Sequence, residues 1–184
     1  MRLFVSVDLP DIAAAVADLQ TTFPGDGLRF TDPDQTHVTL KFLGHTDPDR
    51  LDSITAALDR AVADADVAPF DATIGGLGAF PDHEYINVIW VGVRSDGDAP
   101  LRRLHEAVEA ELVALGFDPE DHEFTPHATI ARMDHAGSKA AVQTLLANRD
   151  PELGTQHVDA VHLTESTLTD TGPVYDHVHT VPLA

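Results

Sequence analysis

The chain has 184 residues, 43% of them hydrophobic, which suffices for one sizeable core or for two small lobes that share one. With 31 acidic against 11 basic side chains the formal net charge is −20, which argues against tight non-specific binding of long nucleic acid, a mode built on many basic phosphate contacts. Cysteine is absent, so disulfides and thiolate metal sites are excluded, and no apolar run approaches the ~18 residues that a membrane helix needs.

Leu3 to Leu9 alternates apolar and polar residues and reads as a strand that starts at once, with nothing resembling a signal peptide before it. Pro10 to Thr22 has helical spacing at Ile12, Val16 and Leu19, and Phe23-Pro24-Gly25-Asp26-Gly27 breaks it. Thr36 to Leu43 is a strand closed by Gly44, and Pro48 to Ala65 is a helix striped by Leu51, Ile54, Leu58 and Val62. Phe70 to Phe80 is a strand whose Gly75-Gly76-Leu77-Gly78 lacks the ending of a phosphate-binding P-loop and predicts a bulge or bend. The order then restarts. Tyr85 to Val93 is a strand, and Ala99 to Leu115 is a helix striped by Leu101, Leu104, Val108 and Leu112. Phe124 to Arg132 is a strand, Ser138 to Ala147 a helix, and Val158 to Leu168 and Val174 to Leu183 are strands.

Two of these strands carry nearly the same four residues, His37-Val38-Thr39-Leu40 and His127-Ala128-Thr129-Ile130, separated by 127 − 37 = 90 positions. Side chains alternate across a strand, so His37 and Thr39 share one face while Val38 and Leu40 enter a core, and the second copy repeats this. The order strand, helix, His-x-Thr strand, helix, strand occurs twice. It predicts an α+β fold of two duplicated antiparallel sheets with helices outside, related by a pseudo-twofold, with both motifs facing a central cleft. The whole of residues 1–184 is expected to form one two-lobed domain. Two imidazoles and two hydroxyls in a cleft suit a phosphodiester reaction. One ring serves as acid and the other as base, the hydroxyls hold phosphate oxygens, and no metal or cofactor is needed.

Eleven histidines are present, and most carry an ordinary expectation of surface or core packing. His177-Val178-His179 could present two imidazoles on one face, but no third ligand is marked by spacing, and His122 with His127 is an equally weak pair. No metal site is expected. The basic residues best placed for a substrate are Arg29, Lys41 and Arg132. Simple alternation puts Lys41 on the face of His37 but Arg132 opposite His127, so Arg132 reaches the cleft only if the strand bulges or ends near Ala131. The dispersed, Asp-rich and Lys-poor composition is that of proteins in extreme halophiles, where at about 1 M salt a Debye length of ~3 Å screens self-repulsion.

The segments Thr36 to Gly44 and Thr125 to Arg132 resemble the two signature motifs of the two-histidine phosphoesterases, and within them the RNA 2′,3′-cyclic phosphodiesterases, also called RNA 2′,5′-ligases. Arg2 to Asp8 is similar to that family's first strand, and Leu163 to Leu168 with Gly172-Pro173-Val174-Tyr175 to its ending. The resemblance implies hydrolysis of RNA 2′,3′-cyclic phosphate ends to 2′-phosphates without a metal. It implies His37 as proton donor, His127 as proton acceptor, and Thr39, Thr129 and Arg132 as phosphate holders, with Lys41 a further substrate contact. The expected partner is an RNA end, for example of a tRNA fragment, and the expected protein a cytoplasmic monomer. Small cyclic nucleotides, ADP-ribose cyclic phosphate, reversible 2′,5′-ligation and a non-catalytic RNA-end binder are the alternatives.

Overall fold

The computed structural model describes all residues, Met1–Ala184. The first half runs β1 (Arg2–Asp8), α1 (Ala13–Gln20), a short β2 (Leu28–Phe30), β3 (His37–His45), α2 (Leu51–Ala65) and β4 (Phe70–Pro81). The second runs β5 (Ile86–Val93), α3 (Ser95–Ala114), β6 (His127–Met133), α4 (Lys139–Asn148) and β7 (Glu152–Val158), followed by β8 (Ala160–Thr169) and β9 (Gly172–Pro182). The expected alternation of strands and helices is present. Two strands went unread, β2 and β7, because three residues and a Gly154-containing run give little periodicity.

Two antiparallel sheets result, ordered β3-β1-β8-β9 and β2-β6-β5-β4-β7. Apart from β2, the orders correspond strand for strand: motif strand, opening strand, a strand from the other half of the chain, and an edge. Thus β4, from the first half, pairs with β5 in the second sheet, and β8 closes the first sheet against β1. This is the duplicated α+β architecture expected, with the lobes interlocked by exchange of two strands each, β8 and β9 into the first sheet and β2 and β4 into the second.

The helices are held by the apolar faces that the spacing marked. Ile54, Ala57, Leu58 and Ala61 of α2, and Leu101, Leu104, Val108 and Leu112 of α3, are all at most 1% exposed. Helix α3 packs against β3, β4 and β5, so it lies under both sheets. Thirty-seven buried hydrophobic residues form one cluster across both lobes. On the faces away from this core, β3 and β6 approach each other and bring the two motifs to one cleft.

Candidate active site

In both motif strands the alternation predicted from sequence holds for four residues and then breaks at a bulge. On β3, Thr39 pairs with Ser6 and Lys41 with Val5, which leaves Leu40 as an extra residue. On β6, Thr129 pairs with Trp90 and Ala131 with Ile89, which leaves Ile130 extra. The two bulges are again 130 − 40 = 90 positions apart. Each turns the next residue into the core and the one after it outward. Lys41 and Ala131 are therefore buried, while Phe42 and Arg132 stand exposed on the side of the histidines.

This corrects the expectation for Lys41, which makes no substrate contact. Its side chain is 2% exposed, and its ammonium donates to Glu109 Oε2 (2.8 Å) and the Asp118 carbonyl (2.9 Å), with Glu120 Oε1 at 3.9 Å. Arg132 fulfils the condition set for it. The bulge puts it on the cleft side, where its charge is felt by the Tyr175 phenol. Arg29 stands directly opposite Arg132 on β2 and is bonded to Asp134 (3.1 Å). Sequence reading missed a third arginine, Arg2, which shares its strand face with Phe4 and also acts on Tyr175. It missed Arg2 because a single base at a strand start carries no motif.

The imidazoles are mounted alike. His37 Nδ1–H donates to the Gln35 carbonyl (2.8 Å), and His127 Nδ1–H to the Thr125 carbonyl (2.7 Å). A carbonyl can only accept, so Nδ1 carries the hydrogen in both rings and Nε2 is left to exchange a proton with a substrate. Aromatic walls hold each ring: Phe4 (5.0 Å) and an edge-on Tyr175 (5.2 Å) for His37, Phe80 (4.7 Å) and Trp90 (5.8 Å) for His127. Trp90 lies across β4 because position 78 is glycine, where a Cβ would collide with the indole. The neighbouring bulge, at Gly76 with φ +83°, is the one expected from the glycine run. Gln35 also clamps β9, since its amide nitrogen donates to the Pro173 carbonyl (3.0 Å) and its oxygen accepts from the Tyr175 amide (2.9 Å).

Burial lowers the pKa of His37 below the ordinary histidine value, against the raising effects of the Gln35 carbonyl and the Asp8 charge, and nearby His127 lowers it slightly further. Burial also lowers His127, opposed by the Thr125 carbonyl. Thr39 and Thr129, half-buried, sit two residues along from each ring on the same face. The set can take a proton at one Nε2, give one at the other, and surround an anion with hydroxyls and arginines. The weak metal pairs do not form. A bulge at Val178 separates His177 from His179, which instead meets Asp59 (2.8 Å), and His122 turns to Asp121 (3.1 Å).

Comparison with known proteins identifies the family. A protein from Methanocaldococcus jannaschii named RNA 2′,3′-cyclic phosphodiesterase is 30% identical over 178 residues, covering 96% of this chain and 97% of that protein. One of the same name from Aeropyrum pernix is 34% identical over 161 residues, 87% and 89% of the two chains. The crystal structure of TT0787 of Thermus thermophilus superposes with a TM-score of 0.80 at 30% identity, over 100% of this chain and 98% of that one. That of E. coli LigT complexed with 3′-AMP shares the fold at a TM-score of 0.81 and 22% identity, over 99% and 97%. The family model described as the 2′-5′ RNA ligase superfamily matches residues 8–170, and the chain belongs to that superfamily.

Proposed function

We propose that the protein hydrolyses 2′,3′-cyclic phosphate ends of RNA to 2′-phosphomonoesters without a metal. The observation that carries this reading is the pair of identically mounted imidazoles, each with Nε2 free, on strands that meet across the cleft. Relatives named RNA 2′,3′-cyclic phosphodiesterase, about as similar as the two above, support the substrate class.

In this mechanism His127 Nε2 takes a proton from water as the water oxygen bonds to phosphorus. The bond from phosphorus to the 3′ oxygen breaks, and protonated His37 gives its Nε2 proton to that oxygen. Thr39, Thr129 and Arg132 hold the non-bridging oxygens as charge gathers on them. Product release leaves His127 protonated and His37 neutral, and exchange with solvent resets both. Arg2, Arg29 and Arg132 concentrate positive charge where a chain of net charge −20 must meet an anion. Contacts are confined to the terminal nucleotides. The dispersed acidity suits a monomer in the cytoplasm of a cell rich in salt. The superfamily description favours reversible 2′,5′-ligation as the second reading, which needs a 5′-hydroxyl end bound beside the cyclic phosphate.

The test replaces His37 and His127 singly by alanine and follows a cyclic-phosphate-ended oligonucleotide in EDTA and concentrated salt. Each substitution is expected to cost about 10²–10⁴ in turnover. Unchanged turnover in either variant would sink the mechanism, and loss of wild-type activity in EDTA would point to a metal. Small cyclic nucleotides and ADP-ribose cyclic phosphate, run alongside, decide the substrate class.

A further inference from the structure

A second group of titratable side chains lies on the first sheet beside the motif histidines, with Asp8 directly opposite His37 on the neighbouring strand. Asp8 ends β1, His162 lies on β8, and His177 lies on β9. Their donor atoms all fall within 4.8 Å of one another. Asp8 Oδ2 is 2.7 Å from His177 Nε2 and 3.9 Å from His162 Nε2. The two rings stack face to face, with centroids 3.8 Å apart. His162 Nδ1 meets the Thr180 hydroxyl at 3.0 Å, which fixes the ring and keeps its Nε2 toward the carboxylate. The bulge at Val178 turns His177 to this face and sends His179 to the other. Three paired strands thus hold the three donors, with an outer hydrogen bond on one of them, as metal-ligating histidines commonly have.

We propose that Asp8, His162 and His177 bind a divalent transition-metal ion of the zinc class, with water completing the coordination. Two imidazoles and one carboxylate are ligands that such ions prefer, whereas magnesium and calcium favour all-oxygen sets. A tetrahedral ion with ligands at about 2.0–2.1 Å needs donors about 3.3 Å apart. The observed separations bracket that value. Entry requires a sub-ångström opening of the Asp8–His177 contact and a tilt of the His177 ring, which is 41% exposed. His162, 15% exposed, is the fixed ligand. Asp11 and Asp159 line the adjoining depression and add to the attraction for a cation. In the reaction proposed above none of the three gives or takes a proton or holds phosphate, although the Asp8 charge acts on His37, and the binding test does not depend on turnover.

The experiment titrates EDTA-treated, metal-free protein with Zn²⁺ by calorimetry and with Cu²⁺ by electron paramagnetic resonance. The expected result is one ion per chain, with hyperfine coupling to two imidazole nitrogens in the unsubstituted protein. His162→Ala and His177→Ala are each expected to weaken zinc binding at least about 100-fold. His135→Ala, which removes an exposed histidine beside Asp26, is expected to leave it unchanged. Absence of stoichiometric binding, coupling to a single nitrogen, or undiminished affinity in both alanine variants would overturn the site. The resonance measurement needs no variant, so it decides even if the substitutions unfold the chain.

Discussion

Replacing Lys41 by methionine tests whether the bulge on β3 is described correctly. The ammonium donates to one carboxylate and one carbonyl and has a second carboxylate at 3.9 Å, on a side chain that is scarcely exposed. Methionine fills the stem's volume but leaves Glu109 and Glu120 without their cation. Removing one member of a buried ion pair costs about 3–5 kcal/mol. Here the carboxylates keep 20% and 28% exposure, so water relieves part of the loss, and about 3 kcal/mol is expected. For a chain of this size that is a fall in Tm of about 6–12 °C. Burial alone would raise the Glu109 pKa, but hydrogen bonds from Lys41 and the Glu120 amide, with the lysine's charge, bring it below the ordinary value. A carboxyl depressed on folding stabilises above its unfolded pKa, and the contribution is lost as pH falls through the lowered value. The difference between wild type and K41M should therefore narrow below about pH 4. Thermal unfolding, and kcat/KM on a cyclic-phosphate dinucleotide well below Tm, are the assays. A Tm within about 2 °C of wild type, with a tenfold loss of kcat/KM, would refute the reasoning and return Lys41 to the cleft.

Four further outcomes are expected. Arg132→Ala should lower kcat about 10²–10³-fold and Arg132→Lys should recover only part, since lysine lacks the planar fork; intact kcat/KM in R132A would remove it from phosphate binding. Burial lowers the pKa of both motif histidines, so under the proposed mechanism the pH profile of kcat/KM should peak on the acid side of about 6.5. The same depression means the fold gains stability above the unfolded histidine pKa and loses it as pH falls toward the lowered values, a loss that H37A/H127A should reduce in urea titrations. Gly78→Ala should displace Trp90, the single tryptophan, at about 1–3 kcal/mol and shift its fluorescence; an unchanged spectrum with unchanged turnover would show that the indole does not steady His127.

The motif histidines and threonines were legible because four residues of strict alternation settle a face. Alternation then misled for Lys41 and left Arg132 conditional, for one physical reason. A bulge adds a residue to one strand only, and neither Thr39-Leu40-Lys41 nor Thr129-Ile130-Ala131 contains a glycine or proline to mark it. The glycine-rich stretch of β4 did announce its bulge. The histidine mounts were invisible because they use the backbone carbonyls of Gln35 and Thr125, which any residue supplies. The grouping of Asp8 with His162 and His177 spans about 170 positions and depends on which strands become neighbours, a matter of topology that local pattern does not encode.

The exchange of β4 and β8 bears on how the molecule can come apart. Every strand pair lies within one sheet, yet neither sheet is complete within its own half of the chain: β2 and β4 complete the second sheet, β8 and β9 the first. A chain severed between Pro81 and Ile86 would yield fragments that each carry two strands of the other's sheet. Co-expressed, they should dock into one working molecule, while either alone lacks the strands that complete its own sheet.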